Sequence, residues 1–424
     1  MKNRYLSAKE AIQKIPMTGR VFIQGAAATP NRLINELINQ ADRFRDLELM
    51  HLHTIGEATY SAPQYKDNFR ITNFFVGANL RKAIDYDRID YLPCFLSEIP
   101  QLLKMGPRRP DVALIHVSPP DQHGYCTLGT SVDVTRAAVD SAPIVIAQVN
   151  PRMPRVHGDG VISIDEIHHL VEVDEPIPES VLPVLSAAEE KIGKNIAEII
   201  DDGATLQMGI GAIPNAVLKF LNNHKDLGMH TEMWSDGALE LIEKGIINNR
   251  KKKIHPHKNI STFLFGSQKL YSFIDDNPAV IQLDVAYVNN PAVIARNQKV
   301  TAINSAVEVD LTGQVCADSI GSHVISGVGG QIDFIRGASL SEGGKPIIAM
   351  TSRTHGGLSR IAASLKKGAG VVTSRAHVHY VATEYGVANL FGKTINERAH
   401  SLIAISHPED RERLEKEWFE IKNS

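Results

Sequence analysis

The chain has 424 residues, 43% of them hydrophobic and 22% charged, with a formal net charge of −3. That length exceeds what one hydrophobic core serves and points to two domains, and the composition excludes a disordered, collagen-like or coiled-coil chain. The near-neutral balance gives no long-range attraction to nucleic acid, and no run approaches the roughly 18 apolar residues of a membrane span, so neither partner is expected.

The first segment, MKNRYLSAKEAIQKIP, has no apolar core of signal-peptide length, which predicts a cytoplasmic protein. Short apolar runs then predict strands over 21–24, 47–50, 112–116 and 144–148, separated by helical patterns. Continuous apolar runs of this kind suit parallel strands covered on both faces. A connector with two prolines and several acids, Val171 to Ser180, places a boundary near residue 185. The expected domains are 1–185 and 186–424. In the second, runs at 205–208, 280–283, 346–350 and 370–373 predict the strands of a second layered unit. From Pro408 a charged run carries Leu414, Trp418 and Ile421 at helical spacing, as in a peripheral helix.

Two features repeat in the same order. Gly25-Ala-Ala-Ala-Thr-Pro30 and Gly209-Ile-Gly-Ala-Ile-Pro214 each follow a strand and open a helix, and His53-Thr54 and His230-Thr231 follow each of them. The expectation is an α/β fold of two pseudo-duplicated layered domains with mostly parallel sheets and an active-site cleft between them. The three cysteines, Cys94, Cys126 and Cys316, lack the close spacing of a metal or redox site and read as structural thiols; no metal site is expected.

Three stretches carry candidate chemistry. The turn within Gln207-Met-Gly-Ile-Gly-Ala-Ile-Pro-Asn215 offers backbone donors at a helix start, suited to an anion or a developing oxyanion, although a plain β-to-α turn also needs such glycines. No Gly-Lys-Ser/Thr follows, so it is not a P-loop. A second cluster, from Ser326 to Ala338, has Gly327, Gly329 and Gly330 but not the spacing of a dinucleotide fingerprint. Arg336, Lys345, Arg353, Arg360, Lys366 and Lys367 surround it, enough cations for the phosphates of a nucleotide-like ligand, or else solvated surface charges. Between the clusters lies Gly228-Met-His-Thr-Glu-Met-Trp-Ser-Asp-Gly237. Its Glu232 suits either a structural ion pair or a nucleophile, since a carboxylate is ionised at neutral pH without a partner base. His230, Ser235 and Asp236 stand beside it, and residue types alone do not choose among them.

These stretches, with Val117-Ser-Pro-Pro-Asp-Gln-His-Gly-Tyr125, Asn150-Pro-Arg-Met-Pro-Arg-Val-His-Gly158 and His379-Tyr-Val-Ala-Thr-Glu-Tyr-Gly386, resemble the acetyl-CoA hydrolase/transferase family from about residue 5 to about residue 415. Within it the likeness is to the members acting on 4-hydroxybutyrate and butyrate. The resemblance implies CoA transfer between a short-chain acyl-CoA and a small carboxylate such as acetate, by ping-pong through a glutamyl-CoA thioester on Glu232. It implies oxyanion donors at Gly209, Ile210, Gly211, Gly329 and Gly330. CoA, a substrate rather than a permanent cofactor, is expected along Gly327, Gly329, Gly330, Gln331, Lys345, Met350, Ser352, His355, Gly356, Ser359 and Arg360. Gln24, Thr29, His53, Thr54 and Ser61 are the expected acyl-pocket residues, and a homodimer is the base-rate expectation. An acyl-CoA hydrolase using the same glutamate and a non-catalytic CoA-binding sensor are the alternatives.

Overall fold

The structure, a computed structural model, describes residues 4–181, 184–209 and 211–423. Its contacts define two compact units that are not sequential halves. The first runs to Ser180 and also takes in Ile260–Val288 and Ile325–Gly329; the second comprises Val181–Asn259, Asn289–Val324 and the chain from Gly330 onward.

The first unit is built on a seven-stranded sheet of β1 (Arg20–Ile23), β2 (Leu47–His51), β3 (Phe69–Asn73), β4 (Ile89–Tyr91), β5 (Val112–Val117), β6 (Ile144–Val149) and β7 (His169–Glu172). The order is β7-β6-β5-β1-β2-β3-β4, and every pair is parallel. Alternate residues of each strand feed separate cores on the two faces: Phe22, Met50, Ile115 and Ala147 on one, Val21, Leu49, Leu114 and Ile146 on the other. That is why β5 reads as an unbroken apolar run. Helix α1 (Asn31–Asn39) buries Leu33, Ile34 and Leu37 against the sheet, and α2 (Thr135–Ser141) lies in the opposite core. The strand order reverses between β1 and β5, the kind of place where open α/β sheets bind ligands.

Two of the sequence motifs are structural turns of this unit. Asp121 accepts from the N–H groups of His123 and Tyr125, both at 2.9 Å, and its other oxygen meets Arg155 at 2.6 Å. Asn150 accepts from the Arg152 N–H at 3.1 Å and donates to the Glu175 carbonyl at 2.7 Å.

The second unit has a six-stranded sheet of β8 (Thr205–Met208), β9 (Gly228–Met229), β10 (Val300–Ser305), β11 (Lys345–Ala349), β12 (Tyr380–Thr383) and β13 (Gly386–Asn389), in the order β9-β8-β10-β11-β12-β13. It is parallel except for the β12–β13 pair. Helices α3 (Ala187–Ala197), α4 (Ala212–Lys219), α5 (Asp236–Glu243), α6 (Gln331–Leu340), α7 (Ile395–Ala404) and α8 (Pro408–Lys422) complete it. Capping boxes start α3, at Ser186 and Glu189, and α7, at Thr394 and Glu397. Leu414 and Trp418 of α8 are buried in a core with Ile348, Val381 and Leu402, whereas Ile421, read as part of the same stripe, stays exposed.

The repeated features fall at matching places. Gly25 follows β1 and His53-Thr54 follow its parallel neighbour β2; Gly209 follows β8 and His230-Thr231 follow its parallel neighbour β9. Two expected strands differ. Val280–Gln282 is a strand, but it pairs in parallel with His157–Gly158 in the first unit, not in a second layered unit. The 370–373 run makes only an isolated bridge from Thr373 to Val315, on the free edge of a two-residue strand, Val315–Cys316, that is too short to extend the pairing. No helix among the described residues is long and apolar enough to cross a membrane.

Candidate active site

The carboxyl ends of β8, β9 and β10 place the decapeptide around Glu232. Thr231, fully buried, links two of these ends: its hydroxyl accepts from the Met208 N–H at 3.1 Å and lies 2.8 Å from the Met233 carbonyl as donor. Glu232 follows at once and is half-buried. Its Oε2 accepts from Asn289 Nδ2 at 2.9 Å, and the same amide lies 3.5 Å from Asp333 Oδ2. Asn289 has no exposed surface and its Oδ1 makes no hydrogen bond among the described residues, so nothing but the carboxylates explains its orientation.

Gly330 closes the other side of the carboxylate. A Cβ there would stand 1.8 Å from Glu232 Oε2 and 2.1 Å from Asn289 Nδ2, so any larger residue would displace these two side-chain ends, although the φ of −96° is ordinary. Gly211 is glycine for the opposite reason: a Cβ would meet nothing within 4 Å, but φ is +125°. It caps α4, with Pro214 in the first turn where no N–H is missed. A held carboxylate pressed against bare backbone at the end of a parallel sheet can act as a nucleophile, with nearby N–H groups receiving the oxyanion.

The remaining expected residues divide. Gly209 is not a free oxyanion donor, because its N–H extends the β8–β10 ladder to the Ile303 carbonyl at 3.1 Å. Ile210 lies outside the described residues. Gly327 and Gly329 belong to the first unit, where a Cβ on Gly327 would meet Phe75 at 2.8 Å; Gly330 begins the next segment of the second. Gln331 is committed to protein, donating to the Ser305 carbonyl at 2.8 Å and accepting from Thr373 at 3.0 Å. Met350 is a core residue, and Ser352 is fully buried with its N–H and hydroxyl both donated to Glu384, at 2.8 and 2.6 Å. Lys345 pairs with Asp201 at the amino end of β11, the far end of the sheet from Glu232, so the structure does not bring it to the others.

By contrast, 353–359 is a turn bridged from Arg353 to Ser359 with its tip, including His355 and Gly356, exposed. Arg360 follows. Its Nη1 donates to the Ala306 carbonyl at 3.2 Å, its buried Nε has no partner among the described residues, and burial pulls its guanidinium pKa below the ordinary value against the opposing charge of Glu384. Among the other cations, Arg353 is spent on Glu409 and Asp410 and Lys366 on Glu308.

In the first unit, Gln24 has no exposed surface. Its amide donates to the Leu128 and Ser131 carbonyls at 3.1 and 2.7 Å and accepts from the His116 N–H at 2.7 Å, so it offers nothing to a ligand in this conformation. Thr29 is likewise buried, donating to the Ala26 carbonyl and accepting from the Ile55 N–H. Thr54 shares a hydrogen bond with Tyr60 at 3.0 Å and lines a cavity of about 250 Å³ with Glu57 and Asn31. His53, half-buried, packs its ring against Phe75 and Phe263, and burial lowers its pKa. Ser61 sits in a short 3₁₀ turn, Thr59–Ser61, outside that cavity's lining. Asn289 and Asp333 were not foreseen. The one local signal for Asn289 is the surplus in Asn289-Asn290-Pro291: Asn290 caps the next helix by accepting from Ala292, leaving the other asparagine without a turn to serve.

A parallel-sheet unit presenting a braced carboxylate beside open glycine backbone is an arrangement that suits a group-transferring enzyme. The comparisons supply the family. Residues 2–183 match the acetyl-CoA hydrolase/transferase N-terminal domain and residues 266–418 the C-terminal domain of the same family. The 4-hydroxybutyrate coenzyme A transferase of Clostridium kluyveri is 50% identical over 418 residues, 98% of this chain and 97% of that one. A succinyl-CoA:acetate/propanoyl-CoA:succinate CoA transferase of Fasciola hepatica is 51% identical over 94% of this chain and 84% of its own. The crystal structure of a 4-hydroxybutyrate CoA-transferase from Porphyromonas gingivalis superposes with a TM-score of 0.85 at 40% identity, covering 100% of this chain and 98% of that one. The chain belongs to the acetyl-CoA hydrolase/transferase family, and its enzyme class is acyl-CoA:carboxylate CoA-transferase.

Proposed function

We propose that the protein exchanges coenzyme A between a short-chain acyl-CoA, 4-hydroxybutyryl-CoA or butyryl-CoA, and a small carboxylate such as acetate, with Glu232 as the covalent carrier. The observation that carries this reading is the setting of Glu232: one oxygen fixed by Asn289 and pressed against the backbone of Gly330, on the carboxyl side of a parallel sheet. The ionised carboxylate attacks the thioester carbonyl, expelling CoA thiolate and forming an acyl-glutamyl anhydride. The thiolate then attacks the glutamyl carbonyl, releasing the first acid and leaving a glutamyl-CoA thioester. The second carboxylate attacks that thioester to form a new anhydride, and the returning thiolate attacks its acyl carbonyl, restoring Glu232. Water takes no part, so the thioester free energy is conserved.

Each attack develops charge on a carbonyl oxygen beside the open backbone at Gly211 and Gly330, and each oxyanion donor is worth about 3 kcal/mol in the transition state. Arg360 with the exposed 353–359 turn supplies the cation and polar groups for the CoA moiety.

Three kinds of measurement test this: CoA release, covalent trapping and substitution of Glu232. Butyryl-CoA incubated with enzyme should release little CoA until acetate is added; acid-independent release at the transfer rate would establish a hydrolase instead. Borohydride reduction of the enzyme–butyryl-CoA mixture, followed by peptide mass analysis, should find the modification on Glu232, and Glu232→Asp, one methylene short, should lose most transfer while retaining CoA binding. Near-normal transfer by Glu232→Ala rules out the covalent assignment.

A further inference from the structure

Strand β9 is the edge of the second unit's sheet. On its inner side it pairs with β8: the Gly228 N–H donates to the Ala204 carbonyl at 2.8 Å and the His230 N–H to the Leu206 carbonyl at 3.1 Å. The N–H and C=O of Met229 point the other way, where a further strand would lie. In place of a strand, the loop of residues 248–259 sends in side chains. Asn249 Oδ1 accepts from the Met229 N–H at 2.8 Å, and Lys252 Nζ donates to the Met229 carbonyl at 2.8 Å and to the Lys258 carbonyl at 2.7 Å. Asn249 is steadied in turn by donating to Asn259 Oδ1 at 2.8 Å.

All three side chains are buried, Lys252 with 4% of its surface exposed. The lysine stem lies flat on the strand, for a Cβ on Gly228 would stand 2.6 Å from Lys252 Cγ. Among the described residues no carboxylate pairs with it. A buried ammonium held by carbonyls alone is expensive, and a neutral side chain would cap an edge strand at less cost. The use of a cation here therefore calls for a reason beyond capping, and Glu232 lies three residues past Met229, just beyond the end of the strand.

We propose that Lys252 is a positioning residue for Glu232: its ammonium clamps the Met229 carbonyl to the Lys258 carbonyl and so sets the path on which Thr231 and Glu232 leave the sheet. The proposal rests on Glu232 being the nucleophile. Two carbonyl oxygens facing one point repel each other, and a cation between them holds both with charge-assisted bonds about twice as strong as neutral ones. Burial pushes the Lys252 pKa down to about 7, so the clamp weakens as pH rises through neutrality. The loop of Lys252 is strongly basic: Arg250, Lys251, Lys253 and His257 belong to it, with Arg250 paired to Asp226 and Lys253 to Glu342. His255 and Lys258 are on its own loop, with the His255 ring held below its ordinary pKa first by burial and then by Lys252; from the sheet, Gly228 and Met229 of β9 and the Thr205 hydroxyl of β8 carry no charge.

The test is steady-state kinetics of Lys252→Met against wild type across pH, with rates expressed per active site counted by covalent trapping. The wild-type kcat should fall as pH rises through the lysine's range. Lys252→Met should lose kcat by about 10- to 100-fold, as expected for a nucleophile displaced by a fraction of an ångström, with KM for acyl-CoA little changed and the alkaline fall abolished. A variant with lower thermal stability but wild-type kcat per trapped site and an overlying pH profile would show the lysine to be structural and overturn the proposal. If Lys252→Met does not fold, the wild-type profile decides alone: a kcat that is level from neutrality into the alkaline range overturns it. Failure of the underlying reading is separately visible, because the trapped group would then sit on a residue other than Glu232.

Discussion

Gly211 and Gly330 are both indispensable glycines, and substituting each by alanine should injure the protein in a different way. At Gly330 the backbone tolerates any residue but the space does not, since the new methyl would fall on the Glu232 carboxylate. Gly330→Ala should fold with nearly wild-type stability and lose about 100-fold in kcat, the usual cost of displacing a reacting group by about 1 Å. At Gly211 the space is open and the dihedral is not, so Gly211→Ala should cost about 1–3 kcal/mol of stability through backbone strain. Paired denaturation and kinetic measurements separate the two; equal loss of kcat without loss of stability in both would contradict the geometry. Neither distinction was readable in advance, because a glycine in a sequence does not disclose whether it answers to conformation or to space. Glu232 stood out through the motif it shares with a family. Asn289, which holds it, is a single polar residue arriving from 57 positions away, marked locally only by the second asparagine and proline that follow it.

At the scale of elements, helix α8 has a task that its sequence concealed. It read as a charged peripheral helix, and its apolar stripe was legible as far as Trp418. Its first turn, however, carries Glu409 and Asp410, which grip Arg353 at 2.6 and 2.7 Å and so anchor one end of the turn leading to Arg360. The hydrogen bond from Arg353 is the largest influence holding the Asp410 carboxyl below the usual carboxylate range, so the anchor outlasts mild acid. Arg353→Met should therefore raise KM for acyl-CoA by about tenfold, equivalent to about 1.4 kcal/mol of binding, while kcat changes little. An unaltered KM would detach this turn from CoA binding. The apolar strands were legible for a physical reason: in a parallel sheet covered on both faces, every residue is buried and the signal survives without alternation. The 370–373 run has the same look, yet it makes one bridge, because a strand also needs a neighbour long enough to pair with, and here that neighbour has two residues.

For the whole molecule, two buried histidines of the first unit set its response to acid. Burial pushes the His51 pKa down to about 4 and the His116 pKa down to about 3, against about 6.5 when unfolded. Between those limits the unfolded chain binds more protons than the folded one, so stability is complete above the unfolded value and is lost as pH falls. Each histidine removes about 1.4 kcal/mol per pH unit over that window. Denaturant titrations at successive pH values should show the slope, and His116→Gln should reduce it; a slope unchanged in the variant would remove His116 from the account. The division into units was only partly visible in sequence. The proline-containing connector up to Ser180 was evident, but the return of Ile260–Val288 and Ile325–Gly329 to the first unit depends on distant pairings such as Val280–Gln282 with His157–Gly158.

That interleaving bears on how the protein is made. The chain crosses between the units five times, and the last segment of the first unit ends at Gly329. A ribosome delivers the sequence from the amino end, and domains ordinarily fold as they emerge. Here the seven-stranded sheet is wholly synthesised by Glu172, but the unit it belongs to is completed only with Gly329, when more than half of the second unit has also appeared, so the last pieces of the first unit must be added to a sheet made much earlier.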